Sequence, residues 1–289
     1  MFTVSVKELL LWIEKQINLG GNEESFYLLL DIVGGIPFKE VNCLRFGSRQ
    51  TVKLKESLKN ISDNWNEHLR TSRPIQHICK ATYWRDLKIS VNPSVLIPRS
   101  ETELIIDIVL DLFQLPQKGI CFTDLGTGSG ALGISLASLD PSWIGYATDF
   151  DEHALATAKQ NFLDLPNFSN LNFYVGDWWE AFNNLSVQFD LVVSNPPYIP
   201  REFYNNLSIA VRKYEPKLAL YGGFDGLSHI KNIIRGAPKF LKKNGWLIIE
   251  NHFDQGQQVK NLFFQSGFHS VKVVNDLSGF GRFTIGRYK

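Results

Sequence analysis

From residue 97 onward, segments typical of β-strands alternate with segments typical of amphipathic helices. Strands are predicted at residues 120–125, 143–149, 171–175, 189–194 and 246–250, with helices at 131–139 and 152–162. Such alternation requires crossover connections, which produce a parallel sheet covered by helices. Two further strands, at 271–274 and 282–286, are separated only by a loop, which predicts an antiparallel hairpin at one edge of the sheet. We therefore predict an α/β fold with a seven-stranded sheet.

The preceding 73 residues have helical periodicity instead. Ser5 with Glu8 forms a capping-box pattern, Asn22 is a candidate cap for a second helix, and Pro37 can open a third. A fourth, longer helical pattern is read from Val52 through Leu69. We predict a small helical bundle over residues 1–73, a β-hairpin linker over 74–97 and a second domain over 98–289.

Composition limits the possible partners of the chain. It has 289 residues, of which 44% are hydrophobic and 20% charged, and its formal net charge is +1. A near-neutral chain has no overall field that would draw it onto DNA or an anionic membrane, so nucleic-acid binding would need a local basic patch. We expect neither direct DNA binding nor membrane association, and we expect a cytoplasmic monomer. The longest apolar run near the start falls far short of the ~18 residues of a membrane span, and no signal-peptide cleavage site follows it.

The chain offers no obvious metal ligands. Its three cysteines are odd in number and widely spaced, and its six histidines show no metal-ligand spacing. We therefore expect reduced cysteines that pack as small hydrophobic side chains, and no metal site.

A glycine-rich turn joins the first predicted sheet strand to the first helix that follows it. The candidate cofactor-binding residues in this turn are Gly126, Thr127, Gly128, Ser129 and Gly130. Glycine permits positive φ and close approach of a ligand to the backbone, and ligands of open parallel sheets bind beyond the carboxyl ends of the strands. Asp149, at the end of the next strand, can accept hydrogen bonds from both hydroxyls of a ribose.

Two cofactors remain open at this point. The glycine spacing fits S-adenosyl-L-methionine (SAM), which has no pyrophosphate, and it also fits a loose dinucleotide fingerprint with alanine in the third position. Trp178 follows the third strand and is a candidate to contact an adenine, although a core position is an equally good interpretation. A ligand-free structural turn is the third possibility.

The fourth predicted strand is followed directly by Asn195, Pro196, Pro197 and Tyr198. An amide nitrogen is a poor nucleophile because its lone pair is delocalised, and two acceptors aimed at its N–H groups can select and orient it. The side-chain oxygen of Asn195 and the main-chain carbonyl of Pro196 can be those acceptors, while Tyr198 can lie against a planar amide or base. This is catalysis by orientation and electrostatics, without a general base.

With both motifs in one sheet, the chain resembles the HemK-type release factor glutamine N5-methyltransferases, which are class I SAM-dependent methyltransferases. The resemblance covers essentially the whole chain. It also rests on three segments at residues 96–103, 214–220 and 222–227, and on Glu250 and Gln255-Gly256. The family has proline where this chain has Ser100, a candidate helix cap here, and it normally has glycine near Lys80.

The resemblance implies a Rossmann-like SAM-methyltransferase fold and methylation of the glutamine in the Gly-Gly-Gln motif of class 1 peptide chain release factors. It assigns the cofactor to Gly126–Gly130, Asp149 and Trp178. It assigns catalysis to Asn195, Pro196 and Tyr198, and it assigns the substrate site to the same three residues together with Pro197. It also implies that the N-terminal helices dock the release factor. A DNA adenine-N6 methyltransferase, another protein-glutamine target and a non-catalytic SAM-binding module remain alternatives.

Overall fold

The structure is a computed structural model, and it describes residues 1–114, 117–165 and 170–289. The chain divides into two compact units. The first comprises Met1–Thr82 with Ser208–Tyr214, and the second comprises Tyr83–Leu207 with Glu215–Lys289. None of the helices in the described ranges combines the length and apolar character needed to cross a bilayer.

The first unit is mainly helical, as the periodicity predicts. Its helices are α1 (Val6–Ile17), α2 (Glu23–Leu29, continued by a π turn, Leu30–Gly34), α3 (Phe38–Phe46), α4 (Leu58–Thr71), α5 (Ile75–Cys79) and α10 (Ile209–Tyr214). The capping predictions are confirmed, because Ser5 accepts the backbone N–H of Glu8 at 3.1 Å and Asn22 accepts that of Ser25 at 3.1 Å. Leu9, Ile13, Phe26, Ile61 and Trp65 are part of its core.

The beginning of the predicted fourth helix is wrong. Residues Thr51–Leu54 form strand β2, which pairs antiparallel with β1 (Phe2–Ser5), and Val4 lies opposite Val52. Val52 and Leu54 are buried while their neighbours are exposed. Leu54 lies four residues before Leu58, which is helical spacing, so a four-residue strand that leads into a helix is easily read as its first turn.

The predicted hairpin linker over residues 74–97 is confirmed only in its middle part. Strands β3 (Ala81–Trp84) and β4 (Leu87–Ser90) form a two-stranded sheet, but Ile75–Cys79 is helix α5. Lys80 ends that helix in the left-handed conformation, with φ of 56°.

The expected helix cap at Ser100 is also wrong. Arg99 is the N-cap of a 3-10 turn, Ser100–Glu103, and the Ser100 hydroxyl donates to the Glu101 carboxylate.

The second unit contains the seven-stranded sheet. Its strands are β5 (Cys121–Leu125), β6 (Ile144–Asp149), β7 (Leu171–Val175), β8 (Phe189–Ser194), β9 (Leu241–Glu250), β10 (Phe268–Asn275) and β11 (Gly281–Tyr288), in the spatial order β10-β11-β9-β8-β5-β6-β7. The pairs among β5 to β9 are parallel, and β10 and β11 form the predicted antiparallel edge hairpin. The prediction of an α/β fold with this sheet is confirmed.

Helices cover the sheet and bury both of its faces. They are α6 (Leu104–Phe113), α7 (Ala131–Ala137), α8 (Glu152–Leu163), α11 (Ser228–Phe240) and α12 (Gly256–Gln265), while the short α9 (Arg201–Tyr204) buries none of its residues. Successive residues of a strand enter different clusters: Leu191 and Val193 of β8 lie in one, and Val192 lies in the other. Burial on both faces explains why β8 reads as an unbroken apolar run.

The strand order places the two sequence motifs side by side. From β5 the chain proceeds outward through β6 and β7, and it then returns to β8 on the other side of β5. The order therefore reverses between β5 and β8, and ligands of open α/β sheets bind at such a point. The glycine turn follows β5 and Asn195 follows β8.

Candidate active site

The glycine-rich turn after β5 has the backbone conformation that requires glycine. Gly126, Gly128 and Gly130 have φ of 73°, 56° and 84°. The N–H groups of Gly126 and Thr127 both donate to the Thr148 carbonyl on β6, at 2.9 and 2.8 Å. A Cβ on Gly128 would meet no atom within 4 Å, so this part of the turn is open to a ligand.

A buried carboxylate, Asp124, supports this turn from β5. Its Oδ2 accepts the Thr127 hydroxyl at 2.6 Å and the Gly133 backbone N–H at 2.9 Å. Burial raises the pKa of Asp124 to about 7, against the opposing effect of these two hydrogen bonds. The residue thereby connects the end of β5, the glycine turn and the first turn of α7.

Asp149 lies at the end of β6, beside the turn, as predicted. Its Oδ2 accepts the Gly128 backbone N–H at 2.8 Å, and its Oδ1 accepts that of Asp151 at 3.0 Å. Burial raises its pKa, while the bonds from Asp151 and Gly128 oppose the shift. Asp149 therefore holds the glycine turn, and it also faces the cavity described below.

Trp178 lies over the other side of the turn. A Cβ on Gly126 would come within 3.2 Å of the indole ring, so the absence of a side chain at residue 126 allows this contact. The indole lies 5.5 Å from the His229 ring, between centroids. Both residues line the cavity, and His229 had no role in the sequence interpretation.

The Asn195 side chain lies where β8 ends, and it is held by residues distant in sequence. Its Nδ2 donates to the Thr102 hydroxyl at 3.0 Å, and that hydroxyl donates to Glu250 Oε2 at 2.6 Å. The Tyr198 hydroxyl donates to Glu250 Oε1 at 3.1 Å. Burial raises the pKa of Glu250 to about 7, opposed by the bonds from Thr102 and Tyr198. Burial also raises the pKa of the Tyr198 phenol.

The loop after Asn195 is fixed by close packing against a glycine-rich segment. Gly222 has no room for a side chain, since a Cβ would lie 2.8 Å from the Pro197 carbonyl oxygen. The Gly222 N–H donates to the Ile199 carbonyl at 2.9 Å, and Gln255 Nε2 donates to the Tyr198 carbonyl at 3.0 Å. This packing explains why the 222–227 segment accompanies the Asn-Pro-Pro-Tyr motif.

A buried glutamate fixes the segment that leads to Thr102. Glu215 Oε1 accepts from Arg99 at 2.7 Å, and its Oε2 accepts from the backbone N–H of Ile97 at 3.2 Å. The Glu215 side chain is 1% exposed, so the ion pair is shielded on the carboxylate side. The two sequence segments at 96–103 and 214–220 thus meet in the fold.

These elements surround a cavity of about 310 Å³, within the size range of small-molecule sites. Of the predicted site residues, Gly126, Thr127, Gly128, Ser129, Asp149, Trp178, Asn195 and Pro197 line it. Gly130 instead begins α7, Pro196 is buried, and Tyr198 turns its hydroxyl toward Glu250. Thr102 and Asp124 also line the cavity, although neither was a predicted site residue.

The fold and the site define a methyltransferase. Residues 116–275 match a protein family described as "Methyltransferase domain". Two solved structures share the fold. One is a methyltransferase from Pyrococcus furiosus, which is 20% identical with a TM-score of 0.52 and matches over 76% of this chain and 98% of that one. The other is a 16S rRNA methyltransferase of T. Thermophilus in complex with AdoMet and guanosine, which is 13% identical with a TM-score of 0.51 and matches over 72% of this chain and 50% of that one.

The chain belongs to the release factor glutamine methyltransferase family. It is 42% identical to the release factor glutamine methyltransferase of Prochlorococcus marinus, over 97% of this chain and 96% of that protein. It is 35% identical to that of Neisseria gonorrhoeae, over 82% of this chain and 84% of that protein. The predicted resemblance, the Rossmann-like fold and the assignment as a methyltransferase are therefore confirmed.

Proposed function

We propose that this chain transfers a methyl group from SAM to the side-chain N5 of the glutamine in the Gly-Gly-Gln motif of class 1 peptide chain release factors. The observation that carries the proposal is the hydrogen bond from Asn195 Nδ2 to Thr102, beside the glycine turn, because it leaves Oδ1 as the acceptor for a substrate amide. The names of relatives that match over most of the chain support the choice of substrate.

The cavity fits the proposed methyl donor. Gly126, Thr127, Gly128 and Ser129 would hold it through backbone atoms, with Gly130 ending the turn at the N-cap of α7. Asp149 would bind its ribose, and Trp178 would contact its adenine. The open space at Gly128 and the orientation of Asp149 toward the cavity support this placement. When bound, SAM supplies an activated methyl group on a sulfonium.

The residues after β8 orient the substrate. Asn195 Oδ1 and the Pro196 carbonyl accept the two N–H groups of the glutamine amide, which selects the NH2 and turns its lone pair toward the donor. Pro196 and Pro197 lack N–H groups and stiffen the loop, while Tyr198 completes the substrate side. The methylated nitrogen loses its proton late, to water, so the reaction needs neither a dedicated general base nor a metal.

The wider organisation follows from the same proposal. Residues 1–73 form the domain that docks the release factor, 74–97 the linker and 98–289 the catalytic domain. A release-factor substrate places the enzyme in the cytoplasm, where it acts as a monomer without direct binding to DNA.

The decisive experiment is transfer of radiolabelled methyl groups from SAM to a purified class 1 release factor. We expect label on the wild-type factor and none on a matched factor whose Gly-Gly-Gln glutamine is replaced by alanine. Duplex DNA is assayed in parallel as the alternative methyl acceptor. Label on DNA with an unlabelled release factor, or equal labelling of both release factors, would overturn the proposal.

A further inference from the structure

A buried carboxylate behind the site has no part in the mechanism above. Glu250 ends β9 and is 0% exposed. Each of its two oxygens accepts a side-chain hydroxyl, from Thr102 on one side and Tyr198 on the other. Arg282 lowers the pKa of Glu250 by its charge, but its Nε donates to Asp276 at 2.8 Å. The carboxylate is therefore directed at the two hydroxyls of the site.

The direction of these hydrogen bonds determines the orientation of Asn195. Above its pKa of about 7 the Glu250 carboxylate is ionised and can only accept, so the Thr102 hydroxyl must donate its single proton to it. The Thr102 oxygen then presents lone pairs to Asn195, and only the NH2 side of the Asn195 amide can satisfy them. The carbonyl side of Asn195 is consequently left for the substrate.

We propose that Thr102 and Glu250 are positioning residues that fix the side-chain amide of Asn195 in the orientation that methyl transfer requires. The proposal rests on the proposed function, because it assumes that Asn195 Oδ1 accepts a substrate N–H. Without the constraint, the Thr102 proton can donate to Asn195 Oδ1 and the amide rotates by half a turn. The Asn195 NH2 then faces the substrate NH2, and two donors meet without an acceptor.

A role limited to packing would not need these residue types. Burying a carboxylate is unfavourable, and apolar residues of similar volume are often neutral or stabilising in its place. Thr102, which is 4% exposed, also has an apolar isostere in valine. The polarity of the Asn195 amide requires both a hydroxyl at residue 102 and an acceptor at residue 250.

The test compares Thr102→Val, which removes the hydroxyl at nearly constant volume, with Thr102→Ser, which keeps it. Methyl transfer to the purified release factor at pH 8, where Glu250 is ionised, gives kcat, and calorimetry at the same pH gives the Kd for SAM. We expect Thr102→Val to lower kcat about tenfold with the Kd for SAM within about twofold of wild type, because orientation rather than cofactor binding is lost. The Thr102→Ser variant, which keeps the hydroxyl, should retain a kcat within about threefold of wild type.

A double-mutant cycle with Glu250→Gln tests whether the two residues act as one unit. Glutamine offers a donor as well as an acceptor, so it removes the constraint on the direction of the Thr102 hydroxyl. We expect Glu250→Gln to lower kcat by about threefold or more in the Thr102 background, and to add no further loss in the Thr102→Val background.

Each outcome separates this proposal from the proposed function. A wild-type enzyme that leaves the release factor unlabelled overturns the proposed function itself. If the wild type is active, three results would overturn the positioning role alone. They are a Thr102→Val variant with unimpaired kcat, losses that multiply in the double-mutant cycle, and a Kd for SAM that rises in proportion to the loss of kcat. Melting temperatures identify any variant that has lost its fold, and Thr102→Val remains decisive if Glu250→Gln does not fold.

Discussion

Single residues at the ends of β5, β6 and β8 determine what the site can do. Asp124 and Asp149 hold the glycine turn, while Asn195 presents a side-chain oxygen beside it. Sequence order brings Asp149 near the turn, since neighbouring strands of a parallel sheet end at the same edge. No such argument finds Thr102, which is 93 positions from Asn195 and 148 from Glu250.

Replacing Asn195 by alanine should abolish most of the turnover without affecting cofactor binding. The side chain acts on the reacting amide, so we expect kcat to fall about 100-fold, as for other single preorganised hydrogen-bonding groups. The Kd for SAM should stay within about twofold of wild type. Asn206→Ala, at an exposed amide, is the matched control and should leave both unchanged. Weak SAM binding with normal turnover would contradict the role of Asn195.

Asp149→Asn should have the opposite distribution of effects. It removes the charge that would bind the ribose and weakens the acceptor for the Gly128 N–H. We expect SAM binding to weaken by about 1–3 kcal/mol, the range for a hydrogen bond to a charged group. Calorimetric titration measures the change, with the exposed Asp164→Asn as the control. An unchanged dissociation constant would remove Asp149 from the cofactor site.

At the scale of elements, local chemistry predicts helices better than short strands. The caps at Ser5 and Asn22 are set by neighbouring residues, so their prediction needs no tertiary information. The parallel strands were predictable because most of them are apolar runs that alternate with helices. Strand β2 was not, since Thr51–Leu54 pairs with β1, nearly fifty positions earlier in the chain, and buries only Val52 and Leu54. Two apolar residues are too few for their alternation to distinguish a strand from the start of a helix.

One element end is strained in a way that a substitution can relieve. Lys80 has φ of 56° at the end of α5, and the left-handed conformation costs a non-glycine residue about 1–2 kcal/mol. Glycine also increases the entropy of the unfolded chain, which offsets part of the gain. We therefore expect Lys80→Gly to raise the free energy of unfolding by about 0.5–1 kcal/mol.

Denaturant titration of Lys80→Gly against wild type measures this change as a shift of the unfolding midpoint. Lys80→Ala is the matched control, because it removes the exposed lysine side chain but retains the Cβ that causes the strain. The control should unfold near the wild-type midpoint. A gain as large for alanine as for glycine would show that the lysine side chain, rather than its backbone, is unfavourable.

Across the molecule, two acidic side chains are buried in the apolar interior of the second unit. Asp124 and Glu250 are both fully buried, and burial raises the pKa of each to about 7. Neither was predictable from sequence as a perturbed group, because their burial arises from packing around the ends of β5 and β9. Asp124 lines the site and Glu250 lies directly behind it, and such pKa shifts tend to concentrate at functional sites.

This arrangement predicts how stability depends on pH. Below about pH 4 both groups are protonated in the folded and unfolded states, so they contribute no dependence. Between about pH 4 and 7 the folded state binds more protons than the unfolded state, and the free energy of unfolding falls as pH rises. Above about pH 7 the contribution is constant. Asp124→Asn mimics the protonated acid and does not titrate. Between about pH 4 and 7 its free energy of unfolding should therefore fall less than that of wild type, by a few kcal/mol at about 1.4 kcal/mol per pKa unit. Denaturant unfolding of both proteins at pH 5 and pH 8 measures the difference, and parallel losses would show that Asp124 does not titrate there.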